Sequence, residues 1–224
     1  MSKLNLGNNE FINYEFHENV GKNTIVFSNS LGSDLSMWDP QVEFFKDHYQ
    51  IICYDKRGHG KSSPIQGPYT FDILENDVIS IMDELGIDKA HFIGLSMGGM
   101  TSLGLALKHS NRFNKLVCCA ARADMPPPAI EAWDQRMAVV QDKGTQGVVQ
   151  GSLERWFSDE FRNDISNNHI LEKAGEMIKS TSTNGYIGSC NAIKGLDYLR
   201  ELGKIKKDFL YISGENDAGA PALA

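Results

Sequence analysis

The chain has 224 residues, of which 41% are hydrophobic and 23% charged, with a formal net charge of −7. This suits one α/β domain with a sizeable core, and the negative charge argues against nonspecific nucleic-acid binding. No apolar run approaches the length of a membrane span, and the opening "MSKLNLGNNEF" has a Lys but no apolar core, so it does not read as a signal peptide.

In chain order, "FINYEFHE" (11–18) alternates and predicts an antiparallel edge strand. The runs 23–29 ("NTIVFSN") and 49–55 ("YQIICYD") are short and almost continuously apolar, as strands covered on both faces are. Residues 70–87 place Ile73, Leu74, Asp77, Val78, Ile81, Met82 and Leu85 in helical period behind Thr70, a plausible N-cap. A strand at 90–96 ("AHFIGLS"), an apolar helix at 98–110 and a strand at 115–121 ("KLVCCAA") follow. The alternation stops between Met125 and Gly203, where the patterns are helical, and resumes with "DFLYISG" (208–214). Alternating strands and helices predict a mostly parallel, doubly wound sheet. We therefore expect one α/β domain over 1–224 with a helical lid at 125–203 inserted before the last strand.

Three cysteines, Cys53, Cys118 and Cys119, fall in the apolar strands, and the fourth is Cys190. With no CxxC and no Cys/His ligand spacing they read as reduced, buried thiols of a cytoplasmic protein. Neither a metal nor a cofactor is expected.

The chemistry is concentrated in four loops. "GLSMG" (94–98) follows a strand and opens a helix, the setting of a GxSxG nucleophile elbow. Ser96 is the candidate nucleophile on a sharp, strained turn, and side chains at Gly94 or Gly98 would collide with the adjoining strand and helix. "SNSLGSDLSMW" (28–38) follows an earlier strand, and makes the Leu31 and Met97 backbone N–H groups the oxyanion pair, with Ser30 beside them. "YDKRGHGKSS" (54–63) carries His59, yet reads as a structural turn fixed by Asp55, Arg57 and Gly58 near the oxyanion strand. In "ISGENDAGAP", Asp217 stands where a triad acid belongs after the last strand, with Glu215 as a weaker competitor.

Together these segments resemble the α/β-hydrolase superfamily. Within it, "NSLGSDLSMWDPQ", "GLSMGGM", "ERWF" and "NGYIGSCNAI" are similar to 3-oxoadipate enol-lactonases of aromatic-compound catabolism, over about Phe11 to Pro221. The resemblance implies hydrolysis of a small anionic lactone through an acyl-Ser96. The second carboxylate of such a substrate needs a cation, for which Arg155 in "ERWF" comes first and Arg136 second. Trp156, Trp133 and Trp38 are candidates for the pocket wall. Related esterases, perhydrolases and carbon–carbon bond hydrolases share much of the pattern, and a ligand-binding protein of the same fold without turnover is a further alternative.

The resemblance also implies a base from a Gly-His loop beyond one more strand. None of His17, His48, His59, His91, His109 and His169 stands in such a place. The expectation is a chain cut before its triad histidine, lacking the final strand and helix and turning over slowly.

Overall fold

The computed structural model describes residues 2–217 and 219. Its strands are β1 (Ser2–Gly7), β2 (Glu10–His17), β3 (Thr24–Ser28), β4 (Gln50–Tyr54), β5 (Ala90–Leu95), β6 (Phe113–Cys119) and β7 (Asp208–Ile212). They form one sheet in the order β1-β2-β4-β3-β5-β6-β7. The first two pairings, β1 with β2 and β2 with β4, are antiparallel. The remaining four are parallel. The expected α/β sheet is therefore present, with the antiparallel edge that 11–18 predicts.

Strand β1 is an addition to the sequence reading. Asn8 and Asn9, at φ 51° and 62°, join it to β2 in a two-residue turn. Asparagine tolerates this left-handed region, and the turn's twist matches that of the strands it joins.

The central parallel strands β3 and β4 are buried on both faces; all five residues of β3 are buried, as are four of the five in β4. Helix α1 (Asp39–Phe45) follows the loop after β3, and α2 (Phe71–Glu84) and α3 (Met97–Lys108) flank the sheet. Thr70 caps α2, its side chain accepting from the Ile73 N–H. Leu74 packs in one core cluster, while Val78, Ile81 and Met82 pack on Val26, Ile52 and Phe92 in a second. Each such side chain contributes ~1.5–3 kcal/mol by leaving water.

Between β6 and β7 lie α4 (Pro127–Lys143), α5 (Val149–Trp156), α6 (Asp159–Asn163), α7 (Asn168–Ser180) and α8 (Thr183–Lys194). Proline at the first helical positions of α4 lacks only an N–H that would have no helical partner. Helices α7 and α8 reach the carboxyl ends of the strands. The Ser182 N–H donates to the Gly58 carbonyl at 2.8 Å, and a Cβ on Gly32 would lie 3.3 Å from Ile178 and 3.5 Å from Tyr186.

On the other side of the sheet, β7 pairs with β6 from Lys115↔Asp208 to Cys119↔Ile212. Its outer edge has no strand partner among the described residues, and Leu210 and Ile212 are 55% and 49% exposed.

Candidate active site

Ser96 is the single residue between β5 and α3, with φ 54° and ψ −112°. A non-glycine residue there costs on the order of 1–3 kcal/mol and persists only when its surroundings hold it. They do so: the Ser96 N–H donates to the Cys119 carbonyl at 2.8 Å, and the Met100 N–H donates to the Ser96 carbonyl at 2.9 Å. The glycines are sterically required. A Cβ on Gly94 would stand 2.1 Å from the Gly98 carbonyl oxygen, and one on Gly98 would stand 2.1 Å from that of Ser28. Ser96 is half-buried at the N-terminus of α3, where free N–H groups favour negative charge.

The loop after β3 is organised around Asn29. Its side-chain Nδ2 donates to the carbonyls of Tyr54 (3.1 Å) and Ser33 (3.4 Å), and its Oδ1 accepts from Trp38 Nε1 at 3.1 Å. Trp38 is buried with its ring 4.8 Å from that of Phe27, so it anchors this loop from beneath. Ser30 is buried and its carbonyl accepts from Ser33 Oγ at 3.0 Å. Leu31 and Met97 are buried in one apolar cluster.

The turn after β4 braces that loop. Asp55 accepts from the Leu35 N–H (2.8 Å), the Lys61 N–H (2.9 Å) and Asn13 Nδ2 (2.8 Å). Burial raises its pKa, and these donors oppose that shift. Arg57 forms a two-pronged pair with Asp77 of α2, both bonds at 2.7 Å. The acid in the apolar stripe of α2 is thus this arginine's partner. His59 is fully buried, with Nδ1 2.9 Å from the Arg57 carbonyl. That carbonyl can only accept, so Nδ1 carries the proton, and Nε2 has no partner among the described residues. Burial pushes His59 down to about 4.

Lys56 is the residue that sequence reasoning passed over. It is 1% exposed, and its Nζ donates to the Asn29 carbonyl at 2.5 Å. Burial pushes it down to about 7. A lysine between an apolar strand and an "RGHG" turn was the available signal.

Asp217 lies past the end of β7, its N–H donating to the Gly214 carbonyl at 3.1 Å and its Oδ1 accepting from the Gly219 N–H at 2.9 Å. Glu215 is exposed. His17, His48 and His91 sit toward the amino ends of the parallel strands, and His109 caps the far end of α3, all away from Ser96. His169 is exposed on α7. Among the described residues, none of the six is hydrogen-bonded to Ser96.

Trp133 of α4 and Trp156 of α5 are half-buried against the cluster that holds Leu31, Met97 and Tyr186. Arg136 lies 4.9 Å from the Trp133 ring centroid and, with Ser152, opposes the burial that raises the Tyr186 phenol to about 12. Arg155 is exposed on α5. A separate cleft of about 260 Å³, lined by Tyr69, Lys108 and Tyr198 among others, lies at the other end of α3 from Ser96.

With this geometry in place, residues 23–165 match the family model described as alpha/beta hydrolase fold. The chain belongs to that family. By family, then, this α/β hydrolase is an enzyme. It is 37% identical over 206 residues to 3-oxoadipate enol-lactonase 2 of Acinetobacter baylyi, which covers 92% of this chain and 76% of that relative. The crystal structure of the enol-lactonase from Burkholderia xenovorans LB400 superposes with a TM-score of 0.86 at 36% identity, over 93% of this chain and 79% of that one. A hydrolase from Pseudomonas aeruginosa PA01 gives a TM-score of 0.91 at 32% identity, over 99% and 82%.

Proposed function

We propose that this α/β hydrolase opens 3-oxoadipate enol-lactone to 3-oxoadipate through an acyl-enzyme on Ser96. The strained backbone of Ser96 at the head of α3 carries the reading. Ser96 Oγ attacks the lactone carbonyl while the Leu31 and Met97 N–H groups receive the oxyanion. The ring C–O bond breaks, the enolate takes a proton and becomes a ketone, and water releases the acid. Asp217 serves as the acid that orients a base. Helices α4–α8 act as the lid. Arg136, over Trp133 and facing Tyr186, takes the second carboxylate ahead of the exposed Arg155, with Trp133 and Trp156 as wall and Ser30 at the rim. The buried thiols of Cys53, Cys118 and Cys190 suit a reducing compartment such as the cytoplasm.

A second reading, ligand binding without turnover, is favoured by one observation: no imidazole of these residues is bonded to Ser96. Loss of a triad base costs on the order of 10⁴–10⁶-fold in rate, and the oxyanion hole and binding alone retain roughly 10³–10⁴ over water. The test is hydrolysis of the lactone with and without added imidazole. Under the enzyme reading imidazole raises the rate of the wild-type chain and not that of Ser96→Ala, and a fluorophosphonate labels Ser96. Lactone binding with neither response supports the second reading, and absence of binding removes both.

A further inference from the structure

Lys56 is an unusual residue to find inside a protein. A buried ammonium costs several kcal/mol unless it is paired, and among the described residues no carboxylate forms a salt bridge with Lys56. Its neighbour Asp55 gives its oxygens to Leu35, Lys61 and Asn13. The one hydrogen-bond partner of Lys56 Nζ among the described residues is the Asn29 carbonyl, with the Tyr54 ring centroid 5.5 Å away.

That carbonyl has a second donor, the Gly98 N–H at 3.0 Å. A carbonyl oxygen has two lone pairs, and both are engaged here. Asn29 stands two residues before Leu31, and Gly98 one residue after Met97. One oxygen atom therefore joins the two backbone segments whose N–H groups are the expected oxyanion donors, and the lysine pulls on that atom.

We propose that Lys56 is a positioning residue for the oxyanion site: its ammonium holds the Asn29 carbonyl against the head of α3, and so sets the spacing of the Leu31 and Met97 N–H groups. The inference rests on the oxyanion assignment above and adds a proton-dependent grip to it. A charged donor binds a carbonyl about twice as strongly as a neutral one, so the grip loosens when Lys56 loses its proton, near pH 7. The groups that face it are Asp55, which favours the charge, the Tyr54 phenol, bonded to Ser28, and His59, on which the Lys56 charge acts in turn. His59 is neutral throughout this range, since burial holds it near 4, and burial drives the Tyr54 phenol well above the ordinary range for tyrosine.

The test needs no turnover. The chain is labelled with ¹³C and ¹⁵N, and the Lys56 Cε signal and the Leu31 and Met97 amides are followed by NMR from pH 5.5 to 9. The expected result is one shared midpoint near 7, with the amide response gone in Lys56→Met. Leu31 and Met97 amides that stay still while Lys56 titrates overturn the proposal, as do amides that titrate unchanged in Lys56→Met. Should Lys56→Met fail to fold, the wild-type titration and Lys56→Gln decide it. Where the lactone is turned over, Lys56→Met lowers kcat about tenfold with KM within about twofold, a fraction of the loss from removing a whole oxyanion donor. A shared midpoint in a chain that does not hydrolyse lactone keeps this inference and removes the enzyme reading, and turnover with silent amides does the reverse.

Discussion

The nucleophile side of the molecule and the acid side are built differently. Ser96 sits among parallel strands buried on both faces, under a loop tied down by Asn29, Trp38, Asp55 and Lys56. Almost every polar group there has a partner, and a missing Cβ at Gly94 and Gly98 lets backbone meet backbone. Asp217 follows β7, which among the described residues pairs on one side only and exposes Leu210 and Ile212. Strain such as that of Ser96 survives only where neighbours over-determine it. The nucleophile is therefore held by β3, β5, β6 and the loops around them, whereas the acid follows a strand at the margin of the sheet.

The strongest way to break that contrast is to cut a brace on the rigid side. Arg57→Ala leaves the Asp77 carboxylate buried without its cation, and unpairing a buried charge costs ~3–5 kcal/mol. Urea denaturation should show an unfolding free energy lowered by that amount, through an earlier midpoint with the slope m little changed, and a loss below 1 kcal/mol would mean that water replaces the arginine. The second test is acid. The pKa of His59 is lower in the folded chain than in the unfolded one, so its stabilising contribution is complete above about pH 6.5 and disappears as pH falls toward 4. That window corresponds to about 3 kcal/mol. Asp55, Glu75 and Asp77 act in the opposite sense, since their pKa values are raised by burial and their contribution declines as pH rises. Comparing stability against pH in the wild type and His59→Gln isolates the histidine, whose removal should flatten the acid limb. The smallest effect belongs to the open side. Leu210→Thr and Ile212→Thr should each change stability by at most about 0.5 kcal/mol, while reducing association at this exposed apolar edge. Thermal melting and light scattering would check this, and a loss of 2 kcal/mol would show the edge to be better packed than its exposure indicates.

The parallel strands and the elbow were legible because their signals are local. Apolar runs bounded by Gly, Asn and Asp mark strands buried on both faces, and GLSMG between a strand and a helix leaves few other conformations. The strand at Ser2–Gly7 was less legible, since "SKLNLG" alternates weakly and only Asn8-Asn9 marks its turn. The Arg57–Asp77 pair was hidden because Asp77 fits the helical period of α2 and nothing nearby names its partner. The burial of Lys56 was hidden for a similar reason: a charged residue after a strand reads as exposed until β3, β4 and α3 are placed around it. Within the 125–203 stretch the sequence marks helices by period but not which faces meet, so Arg155 ranked ahead of Arg136 on its place beside Trp156, and the packing of α4 and α5 reverses that order.

The ladder between β6 and β7 has a kinetic meaning. Lys115 pairs with Asp208, which closes a loop of roughly ninety residues at an entropic cost of about 4 kcal/mol. The β1–β2 hairpin, by contrast, turns through two asparagines and forms on the microsecond scale. Assembly should therefore run from one margin of the sheet to the other, with β7 docking last. A freshly diluted chain would pass through a stage in which the serine turn is already folded while β7 has yet to pair with β6.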